Sequence, residues 1–229
     1  MMRIEEDLLK IRDVDKAIIL QWFFKTGKGQ YGEGDKFLGI VVPKIRKVAK
    51  DYIELDLKDV EKLLKSEWHE FRLTGLIILV YKFEKFKNLQ EKIYTFYLKN
   101  TKYINNWDLV DLSAAKIIGA WLLKKDREML YKLAKSNNLW ERRIAIVTTH
   151  EFIKNMEFEE TIKISEILLL DNHDLIHKAV GWMLREMGKR DEKLLKQFLD
   201  KNKTIMPRTC LRYAIEKLSD EERKNYLKK

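Results

Sequence analysis

The chain has one cysteine, two prolines and nine glycines in 229 residues. A lone cysteine, Cys210, excludes a disulfide framework and a cysteine-rich zinc or iron–sulfur site. It fits a reducing, cytoplasmic compartment. Five of the glycines (Gly27, Gly29, Gly32, Gly34, Gly39) fall in one stretch, and from residue 40 onward only Gly75, Gly119, Gly181 and Gly188 remain. A β-sandwich or barrel needs a turn roughly every 8–12 residues, so this scarcity of turn residues argues against both. The longest apolar run, Gly75–Tyr81 (GLIILVY), is far too short to span a membrane. The amino terminus, MMRIEEDLLKIRD, lacks the apolar block of a signal peptide. A soluble protein with no membrane partner is expected.

What is abundant is charge. Charged residues make up 36% of the chain, 46 basic against 36 acidic, for a net charge of +10. The excess is spread along both halves, with one concentration between Arg185 and Arg212, where nine basic residues face four acids. A basic surface is the electrostatic footprint of a polyanion, most simply nucleic acid. A lysine-rich solvated surface accounts for the same numbers.

Apolar residues recur at helical spacing: Ile4, Leu8, Leu9 and Ile11; Ala17, Ile18, Ile19, Trp22 and Phe23; Val60, Leu63 and Leu64; Ile93, Phe96 and Tyr97. Pro43 and Pro207 stand where helices should begin, since a first-turn residue needs no amide hydrogen. Arg72, Trp107, Arg143, Lys178 and Arg212 recur at intervals of 34 to 36, each early in a strongly apolar helix preceded by another amphipathic one. A period near 35 with two helices per unit describes an α-solenoid. Stacking would turn this row, four of whose five members are basic, into a stripe. Residues 1–52 fall outside the period and read as an N-terminal cap of the same single domain, 1–229: two helices, the glycine loop and a short helix from Pro43. Residues 53–229 carry the helical repeats.

Two motifs fail on context. Gly27–Gly32 matches G-x-G-x-x-G, but a helix precedes it and a polar loop follows, where a dinucleotide site needs a strand before it and a helix after it. His173 and His177 have metal-ligand spacing, but the segment lacks a zincin glutamate and a third ligand. No metal or other cofactor is expected, and Cys210, among apolar residues, reads as core.

Tryptophan is the residue that stands out, with six copies, several beside charges. On a helix, Trp107 and Asp111 are i,i+4 and Asp108 and Asp111 are i,i+3, so all three share a face. Trp140 precedes Arg142 and Arg143, and Trp182 lies in HKAVGWMLRE. A carboxylate, an arginine and indole faces in a basic groove suit scission of the N-glycosidic bond of a cationic, alkylated purine. Such a base leaves readily, and the reaction then needs a counter-charge for an oxocarbenium-like sugar and an oriented water. The residues leave a structural reading open too: tryptophans in the core, and Asp108 as a first-turn acid favoured by the helix dipole.

The segments FFKTGKGQYGEGDKFLGIVVPKIRK (23–47), NNWDLVDLS (105–113), LWERRIAIV (139–147), HKAVGWMLRE (177–186) and PRTCLRYAIE (207–216) resemble the DNA alkylation repair enzymes, the AlkD-type glycosylases built of HEAT-like repeats. The resemblance covers nearly the whole chain. It implies an all-α fold, a superhelix of HEAT-like antiparallel helix pairs cupping duplex DNA. It implies excision of N3- and N7-alkylated purines in base excision repair, without flipping the base into a pocket. It places catalysis on Asp111, Trp107, Arg143 and Trp182. With the basic positions around them, DNA binding is expected at Lys44, Arg46, Lys47, Asp108, Arg142, Lys178, Arg185, Lys189 and Arg190. The chain departs from the family pattern at Asn106, where a second aromatic is usual, and at Val42, where a small polar residue is usual. No lysine in the group can form a Schiff base, so a monofunctional, monomeric glycosylase is expected, cytoplasmic and nucleoid-associated when bound to DNA. The alternatives are a DNA-structure-binding repeat protein without chemistry and a helical-repeat protein scaffold.

Overall fold

The computed structural model describes residues 1–228. The chain is all-α: the described residues contain no strand, only an isolated bridge between Lys36 and Trp68. Two compact units divide it, Met1–Ser113 and a second from Ala114 onward.

In the first unit, helices α1 (Arg3–Lys10) and α2 (Val14–Phe23) precede the glycine loop. They are followed by α3 (Val42–Asp51), α4 (Leu57–Leu64), α5 (His69–Lys85), α6 (Gln90–Lys99) and α7, which starts at Trp107 and runs to Ala114 at the unit boundary. Residues 1–52 thus hold two helices, the glycine loop and a short helix from Val42. Asp13 caps α2 by accepting the Lys16 amide, and Pro43 occupies the first turn of α3. The core is α5, which holds the GLIILVY run and packs against α3 and α4. The apolar stripe of α2 is not buried. Ile18 and Ile19 are 63% exposed and Trp22 79%, and no residue of α2 is buried. The helix is apolar on nearly every side, so its composition gives periodicity without fixing a buried face.

The second unit opens with a π-helical turn (Ala115–Gly119) and short α8 (Ala120–Leu122). It continues through α9 (Glu128–Ala134), α10 (Leu139–Lys154), α11 (Glu159–Leu168), α12 (Asp174–Gly188), α13 (Glu192–Asn202), α14 (Arg208–Ala214) and α15 (Asp220–Leu227). Helices α9, α11 and α12 pack on α10, and α13 and α14 on α12. The α12–α14 approach depends on Gly181: a Cβ there would lie 2.5 Å from the Cys210 carbonyl oxygen. Cys210 is buried core as expected, and burial pushes its thiol up to about 12.

A shared turn opens the three long helices α5, α10 and α12, and the residue that closes it coincides with the row read in the sequence at one of the three positions and precedes it by one at the other two. Ser66, Ser136 and Asp171 each accept the amide two residues on, from Trp68 (3.1 Å), Asn138 (3.0 Å) and His173 (2.8 Å). The side chain six residues on then donates back to that residue's own carbonyl: Arg72 to Ser66 (2.8 Å), Arg142 to Ser136 (2.9 Å) and His177 to Asp171 (2.5 Å). The repeating position is thus Arg72, Arg142 and His177, where the row had Arg72, Arg143 and Lys178. Its side chains tie the loop to the helix. Arg72, 4% exposed and bonded to Asp35, adds nothing to a surface stripe.

Candidate active site

Helix α7 carries the W-D-x-V-D segment. Trp107 and Asp111, one turn apart, are both half-buried. Trp107 stacks on Phe24 (centroids 5.3 Å, 22° between planes) and meets Phe23 edge-on at 6.1 Å. Beneath Asp111, Tyr97 and Ser113 form a buried bond of 2.9 Å. Ser113 spends its hydrogen on the Leu109 carbonyl, so Tyr97 is the donor. Burial, aided by the Asp111 charge, raises the Tyr97 pKa and keeps the phenol protonated.

The start of α7 is held by a buried polar cluster that sequence reasoning missed. His69, 2% exposed, faces Asp108 with Nε2 (2.8 Å to Oδ2) and Asp35 with Nδ1 (3.3 Å to Oδ2). Asp35 also accepts from Arg72 (2.5 Å) and from Asn106 Nδ2 (3.2 Å). The Asn106 side-chain oxygen in turn accepts the Trp107 amide at 2.8 Å. The departure at Asn106 is thereby explained: it is fully buried and bridges the glycine loop to α7. Burial opposes charge on Asp35, but the His69 bond and the Arg72 charge outweigh it and hold its carboxyl below the usual aspartate range. Burial likewise opposes charge on His69, but the Asp108 charge and the bonds to both carboxylates raise its pKa to about 9. Beside the cluster a pocket of about 320 Å³ opens, walled by Leu20, Phe23, Phe37 and Pro43 with Asp108 at its edge. The signals that could have found the cluster are a His-Glu pair heading the helix that holds the GLIILVY run, and an aspartate between glycine and KFLGI.

The other site residues of this unit lie on α3. Lys44 and Lys47 are exposed, and Arg46 is half-buried, 3.5 Å from the Tyr81 hydroxyl. Val42 is 42% exposed beside Pro43.

In the second unit, Arg143 is 5% exposed and donates to the Leu175 carbonyl at 2.6 Å, which joins α10 to α12. Trp182 is half-buried with its ring 5.8 Å from His150, whose pKa burial lowers. Several cations of the expected DNA surface have acidic partners: Arg142 with Asp171 (2.5 Å), Lys178 with Asp174 (2.7 Å) and Lys189 with Glu186 (2.7 Å). Arg185 pairs with Glu216, yet it joins Lys189, Arg190 and Lys217 around a basic pocket of about 370 Å³. The two histidines at metal spacing are engaged locally, His173 as the α12 cap accepting the Leu175 amide and His177 on the Asp171 carbonyl.

The sequence model of the DNA alkylation repair enzyme family matches residues 4–218. The chain belongs to that family. The all-α fold is the one the resemblance implied. A solved structure described as a predicted DNA alkylation repair enzyme from Enterococcus faecalis superposes with a TM-score of 0.70. It is 15% identical and the match covers 91% of this chain and 97% of that one, a likeness of fold. No curated protein matches the chain.

Proposed function

We propose that the protein is a monofunctional DNA glycosylase that excises cationic N3- and N7-alkylated purines from duplex DNA and leaves an abasic site in an uncut strand. The single observation that carries this is the pairing of Asp111 with Trp107 on α7, a carboxylate one turn from an indole that is braced on Phe24. An alkylated purine is already positively charged, so bond breaking places new charge on the sugar. The Asp111 carboxylate supplies the counter-charge and accepts a hydrogen bond from the attacking water. The indole face adds cation–π attraction to the developing oxocarbenium. The resemblance assigns Arg143 and Trp182 to the same chemistry; within the second unit Arg143 secures the α10–α12 junction. Lys44, Arg46 and Lys47 supply phosphate contacts from the first turns of α3.

The test is incubation with duplex DNA carrying 7-methylguanine in excess EDTA. Free 7-methylguanine and an alkali-labile but uncut strand support the proposal. Tight duplex binding with no base released selects the structure-binding alternative.

A further inference from the structure

We infer that His69 is a positioning residue for the reaction proposed above: clamped between Asp35 and Asp108, it fixes the first turn of α7 and through it the Trp107 indole and the Asp111 carboxylate. The inference rests on the glycosylase reading. It follows from how the three residues that open α7 are tied. Asn106 bonds Asp35, which faces His69 Nδ1. Trp107 donates its amide to Asn106 and stacks on Phe24, and Phe24 lies 5.0 Å from the His69 ring. Asp108 accepts from His69 Nε2 directly, and its other oxygen, Oδ1, is buried without a hydrogen-bond partner, so the His69 bond holds this carboxylate. All three residues therefore depend on one ring. Phe37 packs on the same ring, stacked at 4.5 Å, and stacks in turn on Phe24 at 5.0 Å.

The ring must be charged to do this. Neutral imidazole has one N–H and serves one carboxylate, whereas here both nitrogens face carboxylate oxygens, which calls for two N–H donors. The charged groups around it are Asp35 from the glycine loop, Asp108 from α7, and Arg72 and Glu70 from α5. Arg72 is taken up by Asp35, and Glu70 is occupied by the amides of Leu38, Gly39 and Ile40. The imidazolium persists through neutral pH and gives up its proton as pH rises through about 9. One carboxylate then loses its donor and the first turn of α7 loosens. DNA affinity, carried by cations elsewhere, does not follow.

The experiment is single-turnover release of 7-methylguanine from duplex DNA between pH 6.5 and 10 with spontaneous release subtracted, for the parent and His69→Gln, alongside duplex Kd and the NMR titration of the His69 ring in the parent. The expected parent rate is level near neutrality and falls about tenfold per unit above the ring's own titration midpoint. Glutamine offers one donor, so His69→Gln is expected to be slower by at least tenfold, with no alkaline limb and with Kd within about twofold of the parent. A parental rate in His69→Gln, an alkaline limb that survives in it, or a parent limb that does not coincide with the His69 titration overturns the inference. The last comparison needs no variant, so it stands even if His69→Gln does not fold. A parent that releases no base at any pH overturns the glycosylase reading and this inference with it. A parent that releases base with a level profile through pH 10 overturns this inference alone.

Discussion

Replacing Asp35 with asparagine should unfold the protein far more readily than its place in a glycine-rich loop suggests. Asp35 is 7% exposed and holds Arg72 at 2.5 Å, His69 at 3.3 Å and Asn106 at 3.2 Å. Asp35→Asn keeps the shape but leaves a guanidinium that is 4% exposed and an imidazolium that is 2% exposed one carboxylate short. Removing one partner of a buried pair costs about 3–5 kcal/mol. For a chain of this size that is a fall in Tm of about 6–20 °C. The pH dependence carries a sign. The His69 pKa is raised from 6.5 to about 9, so its contribution is complete below 6.5 and is lost as pH rises through about 9, about 3 kcal/mol in all. The Asp35 pKa is lowered, so its contribution is present above the ordinary 3.8 and is lost as pH falls through the depressed value. The gap between parent and Asp35→Asn is therefore widest between about pH 4 and 6.5 and narrows as pH rises toward 9. Thermal melts followed by circular dichroism at pH 7 and pH 10 measure it. Lys36→Ala is the control, since its pair with Glu67 is about half exposed on both sides and should not move the Tm. A loss under about 1 kcal/mol at pH 7, or one equally large at pH 10, refutes the reasoning.

Gly39→Ala should destabilise by at least about 3 kcal/mol, because φ is +80° and the new Cβ would lie 1.9 Å from the Asp13 carbonyl oxygen. Gly29→Ala, with φ +76° and open space around it, should cost only about 1 kcal/mol of backbone strain, and urea melts of the two separate clash from conformation. Duplex affinity should fall by orders of magnitude between roughly 50 and 200 mM salt. Because Lys178 and Lys189 sit in ion pairs whereas Lys44 and Lys47 are exposed on α3, the double change Lys44→Ala and Lys47→Ala should reduce the salt slope by about 2. Fluorescence anisotropy across a salt series reads both.

The sequence spoke clearly where one physical rule dominated. Scarce turn residues, apolar spacing and Pro43 gave the helices, and the W-D-x-V-D segment gave the half-buried Trp107–Asp111 pair, because i,i+4 geometry is local. It spoke less clearly where partners lie far apart in the chain. Asp35, His69, Arg72 and Asn106 span 71 positions, and nothing local marks them as one cluster. Arg72 read as surface charge because a buried arginine looks the same in sequence until its carboxylate is found. The repeat row slipped by one position because Arg142 and Arg143 are adjacent and identical. Only the bond from Arg142 to the Ser136 carbonyl shows which belongs to the row. The apolar run of α2 has no sequence mark that distinguishes a covered helix from an exposed one.

The central claim is that the Asp111 carboxylate drives base release, and Asp111→Asn tests it most directly. The change keeps size and shape at a half-buried position and should alter stability by no more than about 1 kcal/mol. Duplex binding should be kept or strengthened, because a negative charge leaves a surface that meets phosphate. Single-turnover release of 7-methylguanine should fall by roughly two orders of magnitude or more, as the developing sugar cation loses its counter-charge and the water its acceptor. Release by Asp111→Asn at the parental rate, from a folded protein that binds duplex normally, would contradict the account.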